Sequence, residues 1–294
     1  MKRALTVIKA LRVGEALPFS GVALLGGMLA QPAKLTRISS ALVAAMAGVF
    51  CLALFAFVFN DLQDREADQR SGAKPARPLV SGLFSARFMW VLLFSVATAG
   101  LLALAIWTNR RVFWAGLVTI ILSIAYSMKP VSLKSVPVLS SLIHVTEGTL
   151  ACVVGWWAVG AANWTSVVVG CYFGLVFAAG HLHHEAADLF ADRRSGTRTH
   201  AVLFGARTTL LAGLALWTLS AILFSALAFC VLNRQYLGWI QLAMFAAYLW
   251  GRAFILRGRN DPAAIKHLQA FYRLVFLSGG LIMVIVMTLL EAAK

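Results

Sequence analysis

Charge is scarce in this chain of 294 residues: 13% of them are Asp, Glu, Lys or Arg, and only 11 are acidic. Soluble chains carry about 25% charged residues, and here a hydrophobic fraction of 61% fills the gap. A soluble core cannot hide that excess, which excludes a disordered chain and a multidomain soluble enzyme. Cysteine is sparse too. Cys51, Cys152, Cys171 and Cys230 lie in apolar runs with no CxxC pair, so they read as small buried hydrophobes and not as a disulfide or zinc framework. The basic start, MKRALTVIKALRVGEALPF, lacks a small-residue cleavage site and runs straight into a full span, so it is not expected to be a signal peptide. With no low-complexity tract and no internal repeat, a single domain over residues 1–294 is expected. The formal net charge of +15 suggests a nucleic-acid partner. No nucleic-acid module is present, however, and loop Lys and Arg are what membrane topology demands.

What the sequence has in abundance is apolar length. Nine runs lie near Ala16–Ala30, Ala41–Asn60, Phe88–Ile106, Val112–Ser127, Val138–Val159, Thr165–His181, Leu210–Leu232, Leu237–Trp250 and Val275–Leu290. They are too long for strands and lack period-two alternation, and lipid leaves only helices. The expected fold is all-α, a polytopic membrane protein of nine spans. Lys and Arg placement tests the count. The segment before the first span and the connections after spans two, four, six and eight hold 20 of these residues; the other side holds 6. That asymmetry puts the N-terminus in the cytoplasm and the C-terminus outside, in a membrane of the bacterial inner kind.

Of the 11 acids, 7 sit in two windows, Asn60-Asp61-Leu-Gln-Asp64-Arg65-Glu66-Ala-Asp68 and Glu185-Ala-Ala-Asp188-Leu-Phe-Ala-Asp192. They leave the second and sixth spans at the expected cytoplasmic surface, where carboxylates near hydrocarbon are costly. At about 100° per residue, Asn60, Asp64 and Asp68 drift across about 80° of one face, with Asp61 at its edge. His181, Glu185, Asp188 and Asp192 fall within about 60°. Two opposed oxygen stripes repel unless a cation lies between them, and all-oxygen ligands suit Mg2+ shared with substrate phosphates. Arg65, Lys74 and Arg77 follow the first stripe, Arg193, Arg194 and Arg198 the second, and Lys134 the fourth span. Carboxylates, metal and basic residues together form a diphosphate clamp. The alternative, acids that merely pair with loop Arg and Lys, is weakened by two windows at corresponding positions.

NDLQDREAD followed by KPARPLVSG resembles the first signature of the UbiA superfamily of intramembrane prenyltransferases, and HEAADLFADRRSGTRTHAVLFG resembles the second. Tyr126-Ser with Leu133-Lys134 is similar to a third, weaker signature. The resemblance covers essentially the whole chain. It implies a bundle whose central cavity opens to the cytoplasmic face and sideways to lipid, where a prenyl tail would lie. It implies Mg2+ held by Asn60, Asp64, Asp68, Asp188 and Asp192 on an isoprenyl diphosphate. It also implies that Arg12, Arg65, Lys74, Arg77, Lys134 and Arg198 contact the diphosphate, with Arg193 among the neighbouring basic residues. The partners are then a prenyl diphosphate donor, a small-molecule acceptor and the bilayer.

One departure is His184, where many relatives carry Asn or Asp. It can ligate metal, orient Asp188 one turn away, or act as a base. Zinc is disfavoured, since the surrounding ligands are oxygens and no second His/Cys cluster faces this one. His183, off the acid face, reads as a helix-end residue. His144 and Glu147 form the other anomaly, at i, i+3 within the fifth span. An intramembrane Glu beside a His marks a functional or cavity-lining pair; the alternative is an interhelical packing contact. Functionally the two would line an acceptor pocket, with Glu147 taking a proton or stabilising a carbocation. Three functions compete: prenyl transfer to an acceptor (aromatic in one version), terpene cyclisation without one, and a transporter. Acids at the surface argue against the last, since transporters place their sites at the midplane.

Overall fold

The structure, a computed structural model, describes residues 11–31, 39–72, 77–130, 132–257 and 261–292. Nine long helices and no strand occur among the described residues: α1 (Val13–Ala30), α2 (Ser40–Ser71), α3 (Ala86–Trp107), α4 (Arg110–Ser127), α5 (Pro137–Val159), α6 (Trp164–Ser195), α7 (His200–Cys230), α8 (Gln235–Leu256) and α9 (Pro262–Ala292). Each contains a segment long and apolar enough to cross a membrane. Short polar residues start five of them. Ser39, Ser85, Asn109, Asn163 and Thr199 accept hydrogen bonds from backbone N–H groups of the first turns of α2, α3, α4, α6 and α7, satisfying donors that have no intrahelical partner.

Two helices outrun their hydrophobic signal. α2 continues past Asn60 to Ser71 and α6 past His181 to Ser195. Hydropathy registers the apolar part of a helix, whether it faces lipid or protein, while these extensions turn a polar stripe towards the cavity. α7 begins at His200, ahead of the expected Leu210, and breaks at Gly205, whose φ of 81° is not helical. α9 begins at Pro262, well before Val275; proline suits a first helical turn.

α2 and α6 are the most enclosed helices together with α1, whereas α3, α8 and α9 have the smallest share of buried residues. α6 packs chiefly against α5 and α7. Where α5 crosses α6 the backbones touch: a Cβ on Gly174 would lie 2.2 Å from the Val145 carbonyl oxygen, and one on Gly148 would lie 2.8 Å from the Gly174 Cα. The opposite face of α6 is fixed by His183. Its Nδ1 bonds the Ala179 carbonyl at 2.7 Å and its Nε2 bonds the Tyr248 hydroxyl at 2.5 Å, and its ring stacks on Tyr272. His183 is thus fully buried, not the helix-end residue expected, because α6 extends three turns beyond it. Between them, the Gly174 crossing and the His183 anchor set the rotation of α6.

Candidate active site

A cavity with about 1460 Å³ of empty space, counting its mouth, opens at the end of the bundle where α2 and α6 overrun. Its walls come from α1, α2, α4, α5 and α6, and its two ends differ. Asn60, Asp64 and Asp68 of α2 and Asp188 and Asp192 of α6 line the mouth, while Phe19, Val49, Leu52, Phe57, Leu150 and Val154 line the interior. The helical period predicted from sequence brings the two oxygen stripes onto one cavity.

Basic side chains are woven into the mouth. Lys134, on the short turn Leu133–Ser135, donates to Asn60 Oδ1 at 3.1 Å and pairs with Asp64. The Ser127 hydroxyl donates to the same Asn60 oxygen at 3.0 Å. Arg77 pairs with Asp61 and approaches Asp68 at 4.0 Å. Arg12 pairs with Glu15 and lies 3.7 Å from Asp61. Burial, and then the neighbouring Arg12 charge, lower the Arg77 pKa from 12.5 to about 10, so it stays cationic at neutral pH. At the second window the Gly196 backbone, with φ of 75°, ends α6, and the Thr197 N–H returns to the Asp192 carbonyl at 3.0 Å. This turn brings Ser195, Thr197 and Thr199 to the cavity wall.

Not every expected residue lines this space. Asp61 does not; it is 3% exposed and held by Arg77. Glu185 does, but His181 lies 2.8 Å from its Oε1, while the backbone N–H and Nδ1 of His200 reach Oε2 at 2.9 Å, so its oxygens orient protein. Arg65, Arg193 and Arg198 are exposed and absent from the cavity wall. Arg65 and Arg193 each follow a stripe residue by one position, which rotates them about 100° off its face. Lys74 lies outside the described residues. His184 lines the mouth, 3.7 Å from Asp188 Oδ2, and its Nδ1 bonds Gln269 Nε2 of α9 at 2.7 Å.

Further in lies a group of rings. His144 and His181 stack with centroids 3.7 Å apart, and Tyr126 meets His144 edge-on at 5.2 Å. His144 Nδ1 bonds the Ser140 carbonyl at 2.9 Å, and the Ser123 hydroxyl lies 3.1 Å from Glu147 Oε1 and 2.9 Å from the Thr119 carbonyl oxygen, its one proton serving either. Ser123, His200 and Gln269 are not singled out by the sequence, and Ser127 enters only as the second residue of the Tyr126-Ser signature. The two serines, four apart on the face of α4 that carries Tyr126, left a faint signal. Gln269 left none, because α9 meets α6 only through the tertiary fold.

Among the described residues no three His, Cys, Asp or Glu side chains already converge on one point. The donors at the mouth are carboxylate and amide oxygens on facing helices. Such a set suits a hard divalent cation that completes its shell with substrate oxygens, and it lacks the nitrogen and sulfur ligands of a structural zinc site.

Residues 20–278 match the model of the UbiA prenyltransferase family. No curated protein sequence matches the chain. Solved structures do: a UbiA homologue from Archaeoglobus fulgidus bound to DMAPP and Mg2+ is 19% identical with a TM-score of 0.70, over 92% of this chain and 98% of that one. A UbiA homologue from Aeropyrum pernix K1 is 17% identical with a TM-score of 0.66, over 92% and 98%. A digeranylgeranylglyceryl phosphate synthase is 17% identical with a TM-score of 0.68, over 98% and 99%. At these identities the likeness is one of fold. The family match, running from within α1 to within α9, carries the conclusion that this chain belongs to the UbiA prenyltransferase family.

Proposed function

We propose that the protein is a Mg2+-dependent intramembrane prenyltransferase, acting as one domain, that moves an isoprenyl group from its diphosphate to a small-molecule acceptor. One observation carries this reading: two facing oxygen stripes interleaved with Arg12, Arg77 and Lys134 cap a cavity whose interior is apolar. The donor's two halves, a polyanion and a hydrocarbon, match those two ends. Mg2+ bound to the DMAPP complex of the Archaeoglobus homologue is consistent with Asn60, Asp64, Asp68, Asp188 and Asp192 as its holders here. Bound there, it would neutralise charge on the leaving diphosphate. Lys134 and Arg77 donate to phosphate oxygens and stabilise the charge that grows as the allylic C1–O bond breaks. Phe19, Phe57 and Leu52 hold the chain and keep water from C1. The excess of Lys and Arg on this side supports a mouth that faces the cytoplasm.

A second reading, cyclisation of the same donor without an acceptor, draws support from the polar His144, Tyr126 and Glu147 between the mouth and the apolar interior. Purified protein incubated with geranyl, farnesyl and geranylgeranyl diphosphates, with and without Mg2+ and a panel of phenols, tests both. Mg2+-dependent diphosphate release coupled to a prenylated phenol supports transfer. Release with a hydrocarbon or cyclic alcohol and no phenol supports cyclisation. No release under any condition rejects both.

A further inference from the structure

Asp64, Asp68, Glu185, Asp188 and Asp192, the acids of α2 and α6 on the cavity wall, stand at its mouth; Glu147 stands apart from them on α5. Its depth can be read along α4. Ser127 bonds Asn60 at the level of the diphosphate clamp, and Ser123, one turn further in, bonds Glu147. One turn is about 5–6 Å. A donor with its phosphates at Asn60, Asp64 and Lys134 puts its allylic C1 below them, at the level of Glu147. On the same face of α5, His144, Ala151 and Val154 continue the cavity wall, so the carboxylate sits between the polar mouth and the apolar interior.

We propose that Glu147 is the proton acceptor of the reaction, oriented by Ser123 one helical turn below Asn60. This rests on the prenyl-diphosphate reading above and assigns the step that reading leaves open. The C1–O bond breaks and its electron pair leaves on the diphosphate. A new bond to C1 forms from an electron pair of the acceptor, or from a double bond of the same prenyl chain. The resulting cation is left with one hydrogen too many, which passes as a proton to Glu147, whose carboxylate becomes the neutral acid. The Ser123 hydroxyl lies 3.1 Å from Glu147 Oε1 and 2.9 Å from the Thr119 carbonyl oxygen; turning its single proton to the carboxylate leaves the other carboxylate oxygen to the substrate. The proton has two chemical sources, acceptor or cyclised chain, and both would meet the same carboxylate.

Single-turnover assays of the full chain in lipid nanodiscs test this, using whichever of geranyl, farnesyl and geranylgeranyl diphosphate the wild type ionises fastest. Glu147→Gln keeps the shape and removes the base. It is expected to lower product formation at least about tenfold, with donor affinity within about twofold and the melting midpoint within about 2 °C of wild type. The share of prenyl alcohol from water capture should rise. Ser123→Ala leaves the base but not its orienting donor, and is expected to cost about three- to tenfold, the worth of one hydrogen bond. A defect seen without acceptor assigns the proton to the cyclised chain; one confined to incubations with a phenol assigns it to the acceptor. Glu147→Gln within twofold of wild-type product formation overturns the proposal, as does a loss of rate that follows a loss of folding or donor affinity. A wild type that binds donor yet releases no diphosphate overturns the parent reading and this assignment together.

Discussion

Asp64 and Asp188 stand on different helices yet face one cavity, so each tests half of the clamp. Asp64→Ala removes the partner of Lys134, and Asp188→Ala the neighbour of His184. Each variant is expected to lower turnover by about 100-fold or more, the scale on which a preorganised electrostatic group acts, while remaining folded and membrane-inserted. Near-wild-type rates from either at saturating Mg2+, measured as diphosphate release, would remove that stripe from the site. These residues were legible in the sequence because a period of 3.6 places Asn60, Asp64 and Asp68 on one face, and likewise Asp188 and Asp192. The same period, followed strictly, sets Arg65 and Arg193 aside. Ser123 and Gln269 were illegible for a different reason: their importance lies in what they touch, and their partners Glu147 and His184 come from distant segments.

The crossing of α5 and α6 is where element geometry meets chemistry. Val145 and Gly174 approach so closely that a Cβ on Gly174 has nowhere to go, since the nearest atom is a backbone carbonyl. Gly174→Val should push the helices apart and cost about 1–3 kcal/mol, as overpacking of a tight contact does. A thermal melt in detergent would detect this as a lower midpoint. Because His144 and His181 stack across the same interface, turnover should fall further than stability alone accounts for. An unchanged melting point would mean that the backbones give way without cost. The nine spans were legible from apolar length, but the overrun of α2 and α6 was not, since hydropathy falls where a helix exchanges lipid for a polar cavity. Nor did the sequence announce the break at Gly205, as an isolated glycine in a helix is usually tolerated.

At the scale of the molecule the charge asymmetry makes a claim about sides. Ser81, in the α2–α3 connection, and Cys230, at the end of α7, are both exposed and belong to opposite ends of the bundle. A Ser81→Cys variant lacking Cys230 is expected to react with an impermeant thiol reagent only in inside-out vesicles, and Cys230 only in intact cells. The reverse pattern would invert the topology. The ion pairs of the mouth have another consequence, in thermodynamic linkage. Lys134 already balances Asp64, and Arg77 already balances Asp61 beside Asp68. If the proposed ligands bind here, a lone divalent cation meets an Asp64 already balanced by Lys134, and a lone diphosphate meets a Lys134 and an Arg77 already engaged. Supplied together, each ligand releases the side chains that the other needs, so the two affinities are coupled and by reciprocity enhance each other by one common factor. Titrating Mg2+ with and without an unreactive thiolo analogue of the donor should give at least about a fivefold difference in Kd, the low end of typical couplings. Equal values would mean that the resting mouth holds its ligands independently.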